Sequence, residues 1–410
     1  MVPESPGPTL EFIPGGVTAA RGFTASAVAV GLKPAGSLDV ALVAAGSRAV
    51  PAAAVFTTNT VAAAPVVVSR RHIADGLARA VIINAGNANA CTGAAGLRDA
   101  EATAAAVGEL LGESASEVIV SSTGVIGVPL PVDRLLAALP AAVAGLAPDG
   151  GALAARAIMT TDTVAKEAAV RVRSAARSFV MGGMAKGSGM IAPDMATMLS
   201  VITTDAPLTS EACDAALRWA IATTFNRVTV DTDTSTNDMV VLMASGDEGG
   251  APIGPSGAEF EAAAAGVHAV CENLARAIAR DGEGATKLVT VTVRGAASDS
   301  DSEAAAFAIA GSPLVKTAIF GRDANWGRVA MAIGKSGCAL NPDAFDITFA
   351  GVPVCRGGAA LGFDEAVALE ALSASEVTIG VDLHVGSAEA TVWTCDLTYD
   401  YVRINGEYRS

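Results

Sequence analysis

No apolar run in this chain is long. The most extended nearly uncharged stretch, residues 135–148, has 14 residues and is interrupted by Pro140, which is too short for a bilayer crossing of about 20 residues. No membrane-spanning helix is expected, and the apolar content must be buried by stacking many short elements. There is much of it: 51% of the 410 residues are hydrophobic and only 17% are charged, which excludes a disordered chain. At roughly 150 residues per domain, the length argues for two or three domains. Aromatic residues make up only 4%, so the core is expected to be built from Ala and Val.

The short runs alternate in kind. Residues 38–44, 49–56, 66–69 and 80–84 are apolar or β-branched, are bounded by Gly, Asn or Pro, and read as strands. A helix is expected over 97–111, closed by Gly112, followed by a buried strand at 118–121 and helices over 133–145 and 152–159. Strands follow at 168–173 and 179–181, then a Gly-rich turn at 182–189, a strand at 198–203, a helix at 209–223, strands at 228–230 and 240–243, and a long Ala-rich helix over 258–280. Residues 287–293 open a second α/β stretch. The mixture gives a fold class of α/β (α+β), with its most economical domain boundary within 282–288.

Several functional classes are excluded by composition. Lys and Arg number 27 against 42 Asp and Glu, a net charge of −15, so a nucleic-acid partner is not expected. The first fourteen residues hold four prolines, no basic residue and no apolar run, unlike a secretory signal, and a cytoplasmic location is expected. Six cysteines without a CxxC pair suit reduced thiols, and three scattered histidines give a metal centre little to build on. Gly334-Lys335-Ser336 resembles the end of a phosphate-binding loop, but that motif needs a glycine where Val329 stands. No nucleophile elbow and no HExxH motif are found.

The chemistry-bearing segment is 182–200. Four glycines in eight residues suggest a tight turn with the Lys186 cation inside it, running directly into a strand through Ala196-Thr197-Met198-Leu199. A hydroxyl is a weak nucleophile that needs a base, and a threonine freed at a chain N-terminus supplies one in its own amine, with pKa ~8. Residues 185–204 resemble the cleavage-site signature of the ornithine acetyltransferase family, the ArgJ-type glutamate N-acetyltransferases. The resemblance continues through Asn84-Ala85-Gly86-Asn87-Ala88-Asn89, Ser122-Thr123-Gly124-Val125-Ile126-Gly127, Met159-Thr160-Thr161-Asp162-Thr163, Asp281-Gly282-Glu283-Gly284-Ala285-Thr286-Lys287, Gly321-Arg322-Asp323-Ala324-Asn325-Trp326-Gly327-Arg328 and Tyr399-Asp400-Tyr401-Val402-Arg403-Ile404-Asn405.

The resemblance implies a layered αββα domain over 1–284 and a smaller α/β domain over 285–410. It implies self-cleavage between Ala196 and Thr197 into chains 1–196 and 197–410, which stay associated as an α2β2 heterotetramer. Thr197 becomes the acetyl acceptor, Thr123 and Gly124 supply the oxyanion donors, and Thr160, Lys186, Thr197, Glu283, Asn405 and Ser410 contact substrate. The implied reaction moves acetyl from N2-acetyl-L-ornithine to L-glutamate, giving ornithine and N-acetylglutamate; acetyl-CoA is a further donor in bifunctional members, and no cofactor or metal is called for. The competing readings are an autoprocessed amidohydrolase or aminopeptidase of the DmpA type, with water as acceptor, and a non-catalytic interaction protein. The tail departs from the family's usual ending: Ser410 keeps a hydroxyl, and Gly406 is expected to loosen it.

Overall fold

The computed structural model describes residues 7–192 and 198–407. Two sheets lie face to face. The larger has seven strands in the order Thr9–Phe12, Lys166–Arg173, Ser178–Lys186, Leu199–Thr204, Met239–Ala244, Val50–Phe56 and Leu77–Ala78. The smaller has four, Phe23–Val28, Val40–Ala45, Ala80–Asn87 and Val118–Val125. Each sheet contains one parallel pair, Leu199–Thr204 with Met239–Ala244 and Ala80–Asn87 with Val118–Val125; the other neighbours are antiparallel.

Both faces of the central strands are buried, and successive residues divide between them. Ala41, Val43, Val81, Ile83 and Ile119 meet Leu199, Val201, Met239 and Val241 between the sheets. Their neighbours Val40, Leu42, Ile82, Val118 and Val120 face the helices Gly93–Leu111 and Val132–Ala144. On the far side, Ile202, Val240 and Leu242 pack against Ser210–Thr223 and Ala258–Arg280. Helix, sheet, sheet and helix form four layers, the αββα sandwich, and their cores are rich in Ala and Val. Beyond them a six-stranded sheet, Ala359–Ala360, Val352–Arg356, Asp346–Phe349, Glu376–Asp382, Leu288–Ala296 and Ala388–Cys395, has its own core with the helices Asp299–Ala310, Pro313–Phe320 and Trp326–Gly334. Among the described residues no single helix is long and apolar enough to cross a membrane.

Three local expectations are corrected. Residues 66–69, read as a strand from three consecutive valines, lie in the helix Ala64–His72. Pro65 stands in its first turn, where a missing N–H costs nothing, and Arg70, Arg71 and His72 close its last turn against the negative end of the dipole. Residues 228–230 form no strand, only an isolated bridge from Val228 to Trp393. Gly182 and Gly183 are not a turn; they sit inside Ser178–Lys186, and a Cβ on Gly182 would lie 2.1 Å from the Gly16 carbonyl oxygen. Gly406, expected to loosen the tail, lies within the helix Tyr399–Glu407.

Candidate active site

One pocket at the strand ends of the sandwich collects residues that are remote in sequence. Its lining includes Thr123, Gly124, Thr160, Lys186, Glu283 and Asn405. Thr123 and Gly124 lie near the end of Val118–Val125, and Lys186 is the last residue of Ser178–Lys186 rather than part of a turn. Glu283 stands on the turn after Ala258–Arg280, and Asn405 comes from Tyr399–Glu407. Ala196, Thr197 and Ser410 lie outside the described residues. Met198, next after Thr197, donates its N–H to Asp238 Oδ1 at 2.8 Å, and Leu199 pairs with both Lys186 and Met239.

Gly124 lies inside its strand, one residue before the end. With φ of 130°, it sits where a Cβ would come 2.3 Å from the Gly86 carbonyl carbon and 2.5 Å from Asn87 N, on the neighbouring parallel strand. Close approach of the two backbones fixes the Thr123–Gly124 segment. Asn237 then braces it, donating through Nδ2 to Ser122 O at 2.8 Å and Ala88 O at 2.7 Å.

Both charged residues of the pocket are buried, Lys186 at 4% and Glu283 at 8% exposure. Lys186 Nζ reaches Thr123 Oγ1 at 3.3 Å. Burial pushes the Lys186 ammonium down from the ordinary lysine range, opposed most by Asp162. The Glu283 carboxylate accepts from Asn405 Nδ2 at 2.7 Å, and its backbone N–H donates to Ser188 O at 2.9 Å. A cation and an anion held in one small pocket, next to a strand-end hydroxyl, suit a zwitterionic or amide-bearing amino acid.

The sequence pattern of the ArgJ family matches residues 24–410. This chain belongs to the ArgJ family. The arginine biosynthesis bifunctional protein ArgJ of Symbiobacterium thermophilum is 52% identical to this ArgJ-family chain over 404 residues, 98% of this chain and 100% of that protein. The protein of the same name from Thermobifida fusca is 50% identical over 392 residues, covering 96% and 99%. The crystal structure of arginine biosynthesis bifunctional protein ArgJ from Bacillus halodurans is 47% identical, with a TM-score of 0.49 over 50% of this chain and 97% of that one.

Sequence reasoning gave this ArgJ-family chain no role for two sets of residues. Ser235, Thr236 and Asn237 line the pocket from the loop before Met239–Ala244. Their signal is a polar run, Asp231 to Asp238, feeding a wholly apolar strand that turns out to be the parallel neighbour of the one beginning at Leu199. The second set is charged and buried behind the pocket. Lys166 Nζ donates to Asp162 Oδ1 at 2.7 Å and to Asp281 Oδ2 at 2.6 Å. Asp281 also accepts from the Thr163 N–H at 3.0 Å, and its carbonyl accepts from Ser188 Oγ at 2.7 Å. Farther out, Asp231 accepts the N–H groups of Met190 and Ile191 at 2.6 and 2.8 Å and the Tyr401 hydroxyl at 3.4 Å. Burial, together with the Asp231 and Glu283 charges, pushes the Tyr401 phenol up.

Proposed function

We propose that this ArgJ-family chain is a glutamate N-acetyltransferase of arginine biosynthesis, moving acetyl from N2-acetyl-L-ornithine to L-glutamate through an ester on Thr197. The observation that carries the reading is the convergence of Thr123, Gly124, Thr160, Lys186, Glu283 and Asn405 on one pocket. These are the residues that the family resemblance assigns to chemistry and substrate binding.

Thr197 must first become a chain start. Its Oγ attacks the Ala196 carbonyl, the peptide nitrogen leaves as the acyl group shifts from N to O, and water hydrolyses the ester. The products are the Ala196 carboxylate and the Thr197 amine. That amine then takes the Oγ proton as the hydroxyl attacks the acetamide carbonyl of N-acetylornithine. Negative charge gathers on the carbonyl oxygen, and donors at Thr123 and Gly124 would stabilise it by about 2.7–4 kcal/mol each. Ornithine departs as the amine, protonated by the Thr197 ammonium. Glutamate attacks the acetyl ester in a second half-reaction, so the kinetics are ping-pong.

Lys186 faces the substrate α-carboxylate in this reading, and Glu283 the side-chain ammonium of the ornithine donor. Thr160 and Ser410 complete the contacts. The cleaved chains 1–196 and 197–410 remain paired as α2β2 in the cytoplasm, with domains 1–284 and 285–410, and acetyl-CoA is a second donor.

The test is isotopic. The purified protein is incubated with N-acetylornithine labelled in the acetyl group, with and without glutamate. Label in N-acetylglutamate supports the reading, whereas label released as free acetate points to a DmpA-type hydrolase. Two bands near half size on a denaturing gel, replaced by one band and no transfer in Thr197→Ala, support the autoprocessing step.

A further inference from the structure

Lys186 presents a physical difficulty that its neighbours resolve. An ammonium stripped of water reverts to the neutral amine unless anions compensate, and a neutral amine does not attract a carboxylate. Charged groups reach Lys186 from several elements: Lys33 on the loop before Val40–Ala45, Asp162 on the loop before Lys166–Arg173, Lys166 at the first position of that strand, Asp238 before Met239–Ala244, and Glu283 after Ala258–Arg280. Lys33 and Lys166 are cations and oppose its charge. Of the three anions, Asp162 acts on it most strongly. Glu283 is bonded to Asn405, and Asp238 takes the Met198 N–H.

Asp162 also holds the pocket together mechanically. Its Oδ1 accepts from Lys166 Nζ and from the N–H of Gly187, each at 2.7 Å, and its Oδ2 accepts from the Thr160 N–H at 3.0 Å. One carboxylate therefore bonds the backbone of Thr160 and the residue directly after Lys186, joining two walls of the pocket. Burial opposes its ionisation, but the Lys186 and Lys166 charges and the Gly187 N–H outweigh that and hold its carboxyl at about 2.

We propose that Asp162 is the positioning residue for the substrate carboxylate: it fixes the walls that carry Thr160 and Lys186 and places a buried negative charge between them. Lys166 tunes the arrangement. Bridging Asp162 and Asp281, it neutralises part of the charge that would otherwise act on Lys186. The proposal rests on the reading of the pocket as an amino-acid acetyl-transfer site and extends it to residues that touch no substrate.

The probe is N-acetyl-L-glutamate, whose carboxylates stay ionised throughout the range used. Its Kd is measured by titration calorimetry from pH 6 to 10 on the mature wild-type protein, Asp162→Asn and Lys166→Met. Only a shift between proteins is read. In Asp162→Asn the pH at which binding weakens should fall by about one unit or more, with affinity recovering at the acid end. In Lys166→Met it should rise. A purely structural role would instead weaken binding equally at every pH, and an unmoved midpoint in Asp162→Asn overturns the proposal while leaving the acetyltransferase reading intact. If Asp162→Asn does not fold, Lys166→Met decides alone: an upward midpoint supports the proposal, and an unmoved or lowered one overturns it. Wild-type protein that fails to bind N-acetylglutamate at any pH overturns both.

Discussion

Asn405 Nδ2 donates to Glu283 Oε2 across 2.7 Å, so the helix Tyr399–Glu407 is tied to the turn after Ala258–Arg280 by a bond inside the pocket. The helix buries none of its own residues, and Tyr399 and Val402 are largely exposed. Its position depends on the edge-to-face contact of Tyr399 with Phe320 and on a few polar contacts, of which this one also orients the pocket's anion.

Replacing Asn405 with Ala removes a donor from a buried carboxylate. Hydrogen bonds to charged groups are worth about 1.5–3 kcal/mol, so the KM for N-acetylornithine should rise about tenfold or more with a smaller change in kcat. Asn405→Asp, which sets two carboxylates together, should do worse. Steady-state kinetics with N-acetylornithine varied at saturating glutamate check this, and unchanged constants in both variants would detach the contact from substrate binding.

Gly189 is required by the same carboxylate. A Cβ there would lie 2.4 Å from Glu283 Cδ and 2.5 Å from its Oε1. Gly189→Ala should therefore drive Glu283 out of place and raise the same KM about tenfold, a loss near 1.4 kcal/mol. Shortening the acid by one methylene in Gly189→Ala/Glu283→Asp should recover part of the loss. Failure of the double variant to improve on Gly189→Ala would mean that backbone change, not the acid's displacement, is responsible.

Much of the architecture is legible in the sequence because the central strands are short apolar runs closed by glycine or polar residues, and helices such as Gly93–Leu111 and Ser210–Thr223 are bounded by Gly112 and Thr209. Residues 66–69 mislead because three valines satisfy a strand pattern, while the evidence for a helix, Pro65 ahead of them and three basic residues behind, lies outside the run. The pocket residues named from resemblance converge, yet nothing local marks the acids that organise them. Asp281 meets Lys166 from 115 positions away, and only the packing of Ala258–Arg280 on the larger sheet brings the two together. Buried charge pairs carry no periodicity, so a sequence displays their members as ordinary loop residues.

Gly124 should tolerate no side chain. At φ of 130°, with the Gly86 carbonyl carbon 2.3 Å from a Cβ, Gly124→Ala combines backbone strain with a clash against backbone that cannot rotate away. Each effect costs about 1–3 kcal/mol. Thermal unfolding should show a lowered Tm, and any folded fraction should lose transfer activity. A variant with wild-type Tm and activity would contradict the close pairing of Ala80–Asn87 with Val118–Val125.

Acid should release the Asp162 charge. Its carboxyl is held at about 2 in the folded protein, against about 3.9 for an unfolded aspartate. A depressed acid favours the fold when ionised, so its contribution is fully present above about pH 4 and is lost as the pH falls through the folded value near 2. The difference of nearly two units corresponds to about 2–3 kcal/mol. Asp162→Asn cannot titrate, and it is destabilised at neutral pH because Lys166 and Lys186 lose a buried counter-charge, a change of about 3–5 kcal/mol when one member of a buried pair is removed. The stability gap between wild type and Asp162→Asn, taken from urea unfolding at each pH, should therefore be constant from pH 7 to about 4 and narrow by about 2 kcal/mol on descent to pH 2. A gap that stays constant to pH 2 would show that the carboxyl is not depressed, and with it that Lys186 and Lys166 do not hold it ionised.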